Sequence, residues 1–184
     1  MSAGLGLFVL FALLAVNFAL NVMEVSVIAS NRLRVRHLAE SGSRRAQSLQ
    51  RLQDDQERFL AAVVFLVLLT VGVSAFFAPN VTEEIVGSSG VFVVAISVVL
   101  ITIFNATIGD LTPKVIGVRA STSIGLFVAP LAEAMTRTLG PFIMPLYAVA
   151  NFLARRVLRV DHEAGLPVSE AELRFQIQLG AEAG

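Results

Sequence analysis

The sequence predicts an all-α membrane protein with three transmembrane helices and amphipathic helices that form a juxtamembrane belt. Three observations predict this class. Hydrophobic residues make up 55% of the 184 residues and charged residues only 15%, whereas soluble domains have roughly 45 to 50% apolar and about 25% charged residues. Three apolar stretches are long enough to cross a hydrocarbon core of about 30 Å. All fourteen lysines and arginines lie outside residues 1–31 and 59–113, which contain these stretches.

The first span runs from Ala3 to Ile28. No basic residue precedes it, unlike a secretory signal peptide, so we interpret it as a retained transmembrane helix. Its polar residues Asn17, Asn21 and Glu24 lie at i, i+4 and i+7 and therefore share one face. Two interpretations of this stripe remain open. The asparagines make interhelical hydrogen bonds with Glu24 at headgroup depth, or the stripe is part of a functional site inside the bundle.

The segment between the first two spans, Asn31 to Arg58, carries seven arginines among amphipathic leucines. This pattern favours a helix that lies along the membrane face and is broken near Ser41-Gly42-Ser43. The positive-inside rule places this face in the cytoplasm. Nucleic acid is excluded as a partner, because four acids are interspersed with the arginines and the segment offers no aromatic residue for stacking before Phe59.

The second span is predicted from Phe59 to Phe77, and the segment 78–84 that follows has acids but no base, as expected outside the cell. The third span begins near residues 88–91 and returns the chain to the cytoplasm at Lys114 to Arg119. The sequence therefore predicts a multi-pass protein of the plasma (inner) membrane, with its N-terminus outside and its C-terminus in the cytoplasm.

The third span, Val91 to Arg119, is apolar enough to enter a bilayer yet carries Asn105, Asp110 and Lys114. An acid near the middle of a span costs roughly 2.5 to 3.5 kcal/mol on insertion scales, so an acid retained there indicates a functional site. The rest of the chain is predicted to be organised around this stretch.

Pro113 sharpens that prediction. Proline has no N–H and its ring crowds the carbonyl four residues earlier, so the carbonyl of Gly109 loses its usual helical partner beside the Asp110 carboxylate. Two oxygen acceptors at one depth suit a hard cation. The alternative is a proline kink in which Asp110 and Lys114 form an i, i+4 ion pair at the helix end.

Residues 120–160 are apolar but interrupted by Pro130, Pro141 and Pro145. We expect several short helices at the inner membrane interface rather than a fourth span, because no uninterrupted stretch of about 20 apolar residues exists. Residues 161–184 are polar, and Ser169 begins a predicted helix with acids in its first turn. We expect this segment to lead to a soluble module beyond the chain.

The composition also bounds the chemistry. Cysteine is absent, which excludes disulfides, thiolate metal ligands and cysteine nucleophiles. The two histidines, His37 and His162, lie in basic segments without paired-ligand spacing. Since no Ser/His or paired-His set lies at membrane depth, the sequence predicts no catalytic residues and no enzyme activity. A site in this protein must use oxygen ligands.

Four motifs carry a resemblance to a known family. They follow the membrane-embedded Glu24 in order: SNRLRVR at 30–36, QERFL at 56–60, GDLTPK at 109–114 and VSEAELR at 168–174. Together they resemble the transmembrane domain of the CNNM/CorC magnesium transporters. The resemblance implies a transmembrane domain over residues 1–160, and a linker over 161–184 that leads to a CBS-pair module.

What the resemblance implies for function is export of Mg²⁺ coupled to Na⁺. It implies a homodimer of three-helix protomers in membrane lipid, each with one Mg²⁺ in an inward-facing acidic cavity. The cofactor implied is thus the transported Mg²⁺, with Na⁺ as the coupling ion.

The family's ligand positions can be carried over only in part. Its Ser-x-x-Glu appears as Asn21-Val22-Met23-Glu24, and its Gly-Glu appears as Gly109-Asp110. Its Gly-Asn in the second helix aligns with Leu66-Val67, which offers no side-chain ligand. Asn21 or Asn105 could replace the missing oxygen. The candidate metal site is therefore Asn21, Glu24, Asn105, Gly109 and Asp110. The alternative function is that of a non-transporting CNNM-like paralogue, a dimeric regulatory scaffold in the membrane.

Overall fold

The computed structural model describes residues 3–87 and 90–158, and secondary structure in these ranges is entirely helical. The elements are α1 (Ala3–Ala29), α2 (Arg32–Glu40), α3 (Arg44–Asp54), α4 (Gln56–Val86), α5 (Val91–Phe104), a π-helical turn (Asn105–Leu111), α6 (Thr112–Arg119) and α7 (Ser121–Leu158). Among the described residues, three helical runs are long and apolar enough to cross a membrane: α1, α4 and the continuous run Val91–Arg119. The predicted all-α membrane protein with three spans is confirmed.

Helix α1 is the element around which the spans pack. It contacts α4, the π-helical turn and α6. The approach of α6 depends on Gly117, because a Cβ atom there would lie 3.1 Å from Val25 Cβ and 3.2 Å from the carbonyl oxygen of Val22. The third span therefore lies close enough to α1 for polar groups of the two helices to meet.

The belt between the first two spans is two short helices, as predicted, with the break at Ser41-Gly42-Ser43. Gly42 has φ +93°, a conformation that favours glycine. The side chains of Asn31 and Ser43 cap the two helices by accepting hydrogen bonds from main-chain N–H groups of the first turn. Apolar residues of α2 and α3 join the core of the spans; the fully buried ones include Val35 and Leu49.

The carbonyl groups at the end of α1 are satisfied by neighbouring side chains. Gln53 Nε2 donates to the carbonyl oxygens of Val27 at 3.1 Å and Ser30 at 3.0 Å. Ser121 Oγ donates to the carbonyl oxygen of Ala29 at 3.1 Å. Because the last four carbonyls of a helix lack internal partners, these bonds fix the end of the first span to the belt and to α7.

The second span is longer than predicted. Helix α4 continues through Pro79 to Val86 and ends at Gly87, which has φ +71°. The expected end at Phe77 was wrong, because a proline removes only its own N–H donor from the ladder. Val81 packs beyond Pro79 with only 4% exposure and helps hold the extra turns.

The prediction of several short helices after residue 120 was also wrong. Helix α7 runs from Ser121 to Leu158 through all three prolines. Packing of its buried residues, including Ala129 and Ala132, holds the helix where single hydrogen bonds are lost. Residues up to Ile143 belong to one compact unit, and those from Met144 to a second. The expectation for residues 161–184 lies outside the described residues and stays a prediction.

An ion pair ties α3 to α7. Arg51 Nε and Nη2 donate to the two carboxylate oxygens of Glu133 at 2.7 and 2.9 Å. This guanidinium, followed by the Ser48 hydroxyl, lowers the pKa of Glu133 from 4.5 to about 2. A lowered pKa means that the carboxylate contributes stability above pH 4.5, and that this stability is lost as the pH falls towards 2.

We therefore expect Glu133→Gln to lower the free energy of unfolding at pH 6 by about 1 kcal/mol, a modest value because Arg51 is largely exposed. The difference from the unmodified protein should shrink as the pH falls from 4.5 towards 2. Thermal unfolding of both proteins in detergent across this range measures it. An identical pH dependence for both would contradict the assignment.

Candidate functional site

The site begins at the π-helical turn in the third span. Between Asn105 and Leu111 the helix widens, and the N–H of Thr112 donates to the carbonyl oxygen of Thr107, five residues earlier. Pro113, which is buried, follows at once. Since proline cannot donate, the widened turn places main-chain carbonyls where side chains of another helix can reach them. Single π-helical turns of this kind occur frequently at functional sites.

Gly109 lets this turn approach α1. A Cβ atom at Gly109 would lie 2.7 Å from Asn17 Nδ2 and 3.2 Å from Leu14 Cδ1. Real Cβ atoms do not approach that closely, so any side chain here would displace the turn or the Asn17 amide. The absent side chain therefore sets the distance between the first and third spans at this depth.

Across this close approach, three asparagines form a chain of hydrogen bonds. Asn21 Nδ2 donates to the Gly109 carbonyl oxygen at 2.9 Å and to Asn17 Oδ1 at 3.1 Å. Asn17 Nδ2 donates to Asn105 Oδ1 at 3.2 Å. Asn17 and Asn21 are each 2% exposed. All hydrogen bonds from the Asn21 side chain use Nδ2, so the nitrogen and not Oδ1 of this amide faces the Gly109 carbonyl.

The charged part of the site involves Glu24, Asp110 and Lys114. Lys114 Nζ lies 2.5 Å from Asp110 Oδ1, and both side chains are partly exposed. Glu24 on α1 is half-buried and interacts electrostatically with both of these residues. Two carboxylates and one ammonium leave this group with one net negative charge when all are ionised. A cation would be attracted to the group, with Lys114 as its competitor for Asp110.

The structure thus places Glu24 within electrostatic range of Asp110 on a different span, and it joins Asn21 to the carbonyl of Gly109. Asn105 is one step removed, since its oxygen accepts from Asn17 and its own Nδ2 donates to the carbonyl of Ile101 at 3.2 Å. The two structural alternatives are both present: the asparagines make interhelical hydrogen bonds, and Asp110 forms the i, i+4 ion pair with Lys114. The metal site at these residues stays a prediction.

Asn17 was not among the residues predicted for the candidate site, although it bonds to two of them. It shares the stripe of Asn21, and that i, i+4 spacing was the available signal. Its contact with the third span depends on Gly109, and a periodic sequence pattern does not show how closely the backbone at this glycine approaches α1. Leu66 and Val67, which align with the family's ligand position, pack against the apolar core cluster instead. Helix α4 therefore contributes no side-chain oxygen at those two positions.

The available donors are all hard oxygens: two carboxylates, one amide oxygen and one main-chain carbonyl. Within residues 3–87 and 90–158, no group of three or more His, Cys, Asp or Glu residues is placed to hold a metal. Such a set resembles the way Mg²⁺ is commonly bound, through one or two carboxylates with several waters retained, rather than an all-carboxylate cage. The arrangement can attract a divalent cation and orient part of its hydration shell.

Comparison with known proteins gives a match to one family model, described as the cyclin M transmembrane N-terminal domain, over residues 8–184. Two curated proteins are similar over nearly the whole chain. The UPF0053 protein sll0260 of Synechocystis is 25% identical over 194 residues, covering 100% of this chain and 43% of that protein. The UPF0053 protein YugS of Bacillus subtilis is 23% identical, covering 98% of this chain and 45% of that protein. The chain thus spans less than half the length of these relatives.

Proposed function

Because this chain belongs to the cyclin M transmembrane N-terminal domain family, we propose that it transports a divalent cation, Mg²⁺, across the membrane. The ion enters the acidic group formed by Glu24 and Asp110 and is bound beside the Gly109 carbonyl. No covalent step is needed. The direction is export, with Na⁺ as the coupling ion.

One observation supports this proposal most strongly: the carboxylates of Glu24 and Asp110, on two different spans, interact electrostatically, and Asn21 of the first span donates to the carbonyl of Gly109, the residue before Asp110. Placing charged groups within a span costs free energy. A contact that only held two helices together would therefore be more stable if apolar residues made it. Mg²⁺ prefers oxygen ligands at about 2.0 to 2.1 Å and sheds its water reluctantly. Two carboxylates supply charge, while the amide and carbonyl oxygens replace only a few of its waters.

Lys114 gives this site a way to release its ion. When no Mg²⁺ is bound, the ammonium neutralises Asp110 through the contact with Oδ1. An arriving cation takes over the carboxylate, and Lys114 turns away. The returning ammonium then competes with the ion and favours its release. This exchange keeps the carboxylate partnered in both states, which limits the penalty for placing charge in the membrane.

The proposal extends to the assembly. The protein acts as a homodimer in the lipid of the plasma (inner) membrane. Its N-terminus lies outside the cell and its C-terminus lies in the cytoplasm. A CBS-pair module beyond residue 184 controls transport. The distribution of arginines supports this orientation, since the belt between α1 and α4 and the end of α6 are basic.

A second function, that of a dimeric scaffold that moves no ions, is favoured by one observation. Leu66 and Val67 are apolar and pack against the core cluster, so these two positions of the second span lack the side-chain ligand of the family pattern. The two functions differ in a measurable way: the transporter moves Mg²⁺ when reconstituted into vesicles, and the scaffold does not.

The experiment is Mg²⁺ flux into proteoliposomes that hold a Mg²⁺-sensitive dye, with and without a Na⁺ gradient. We expect flux from the unmodified protein and a decrease of about tenfold or more for Glu24→Gln, which keeps the size of the side chain but removes its charge. The matched control is Glu83→Gln. Glu83 is an exposed acid near the C-terminal end of α4, so this variant should keep full flux. Absence of flux from the unmodified protein would instead support the scaffold.

A further inference from the structure

The asparagine chain between α1 and the third span has a direction. Asn105 Nδ2 donates to the Ile101 carbonyl, Asn17 Nδ2 donates to Asn105 Oδ1, and Asn21 Nδ2 donates to Asn17 Oδ1 and to the Gly109 carbonyl. Asn105 and Asn17 thus each present the nitrogen to one neighbour and the oxygen to another, whereas Asn21 presents only its nitrogen, which also donates to the main-chain carbonyl of Asn17 at 3.0 Å. Every member of the chain depends on the orientation of the next.

Main-chain groups fix this direction at both ends. The carbonyl oxygens of Ile101 and Gly109 can only accept hydrogen bonds. Asn105 must therefore present its nitrogen to the first of these, and Asn21 must present its nitrogen to the second. Asn17 lies between them and can satisfy both neighbours in only one orientation, because two facing oxygens or two facing NH₂ groups would repel each other.

This orientation conflicts with cation binding. Beside the Gly109 carbonyl a cation requires the oxygen of Asn21, whereas the structure places Nδ2 there. If Asn21 rotated alone, its Oδ1 would face Asn17 Oδ1. Asn17 would then have to rotate as well, and its Oδ1 would face that of Asn105. One rotation therefore requires all three.

We propose that Asn17, Asn21 and Asn105 form an amide relay that a cation reverses: when the ion binds, Asn21 turns Oδ1 towards it and the other two amides turn in sequence. Asn17 is the positioning residue of the relay. This inference rests on the proposed function, since it concerns the same cation. Without the ion the three amides return to their original orientations, because the oxygen of a reversed Asn105 would face and repel the Ile101 carbonyl oxygen.

The far end of the relay has room to turn. Asn105 is half-buried and borders a cavity of about 500 Å³ between α1, α4 and α5. Two of the hydroxyls that line this cavity, those of Ser74 and Ser97, already donate to carbonyls of their own helices. Their protons are therefore already engaged and are not offered to the Asn105 oxygen.

The relay is tested by NMR of the asparagine side-chain amides in the whole chain, labelled with ¹⁵N-asparagine and titrated with Mg²⁺. We expect the resonances of Asn21, Asn17 and Asn105 to shift together with one apparent affinity. Asn80 is the matched control, since its Nδ2 donates to the Phe76 carbonyl of its own helix and should not shift. In Asn17→Leu, the resonance of Asn105 should stay fixed while that of Asn21 still shifts.

The same variant gives a second readout. Asn17→Leu removes a hydrogen bond that holds Asn21 in the ion-free orientation, so Mg²⁺ should bind about two- to tenfold more tightly by calorimetry. A merely structural role for Asn17 predicts weaker binding, and weaker or unchanged affinity would overturn the relay. If Asn17→Leu fails to fold, Asn105→Leu breaks the chain at its other end, and the same tighter binding is expected.

The relay and the transport proposal can fail separately. If Mg²⁺ binds and is transported while the Asn105 resonance of the unmodified protein stays fixed, the relay is wrong and the transport proposal stands. If Mg²⁺ shifts none of the three resonances and no flux is found, both are wrong.

Discussion

Replacing Asp110 with alanine is expected to abolish Mg²⁺ transport and to weaken Mg²⁺ binding by about a hundredfold or more. The variant removes one of the two carboxylates and leaves the ammonium of Lys114, now without its ion pair, facing the incoming ion. A pair of charges about 4 Å apart is worth roughly 4 kcal/mol at an effective dielectric constant near 20, and each 1.4 kcal/mol is a factor of ten. Calorimetry and the proteoliposome flux assay measure the two effects.

A double variant separates the charge of Asp110 from its role as a ligand. Asp110→Ala with Lys114→Ala restores the single net negative charge of the group but provides no carboxylate in the third span. We expect transport to remain absent. Full recovery would mean that Asp110 only balances Lys114 and does not bind the ion. Glu40→Ala, which removes an exposed acid paired with Arg36 in the belt, should behave like the unmodified protein.

The sequence predicts the spans and the belt well, because these follow from the distribution of apolar and basic residues along the chain. The predictions of where helices end were less accurate, and the errors for α4 and α7 share a cause. Pro79 and the prolines of α7 each remove one donor, but packing of neighbouring turns holds the helix together. Proline marks a helix boundary reliably only where no such packing exists, and packing partners distant in the chain are not visible in a local pattern.

The candidate site was predictable in its charges but not in its geometry. Asp110 and Lys114 form the i, i+4 ion pair that was the alternative interpretation of this stretch, and Pro113 marked the carbonyl of Gly109 as unusual. The π-helical turn was not predicted, because its extra residue changes which side chains face α1 and a regular period cannot reveal it. The role of Asn17 follows only from that turn, since the turn contains both Asn105, which accepts its hydrogen bond, and Gly109, whose missing side chain allows the close approach.

The turn also makes Gly109 a position at which a single added methyl group should have a large structural effect. We expect Gly109→Ala to destabilise the protein by about 1 to 3 kcal/mol, the usual effect of forcing a methyl group into a packed interior, and to abolish Mg²⁺ binding. The new Cβ would lie 2.7 Å from Asn17 Nδ2. The Asn17 amide cannot simply move aside, because its nitrogen donates to Asn105 and its oxygen accepts from Asn21.

Gly72→Ala is the matched control for this substitution. Gly72 lies inside the second span, as Gly109 lies inside the third, but a Cβ there would meet nothing within 4 Å. Alanine is about 1 kcal/mol more favourable than glycine in a helix interior, so this variant should be at least as stable as the unmodified protein and should bind Mg²⁺ normally. Thermal unfolding and calorimetry of the two variants compare them directly. Equal stability and equal binding would mean that the third span does not rely on a bare backbone at Gly109 to reach α1, and the site built on that approach would have to be abandoned.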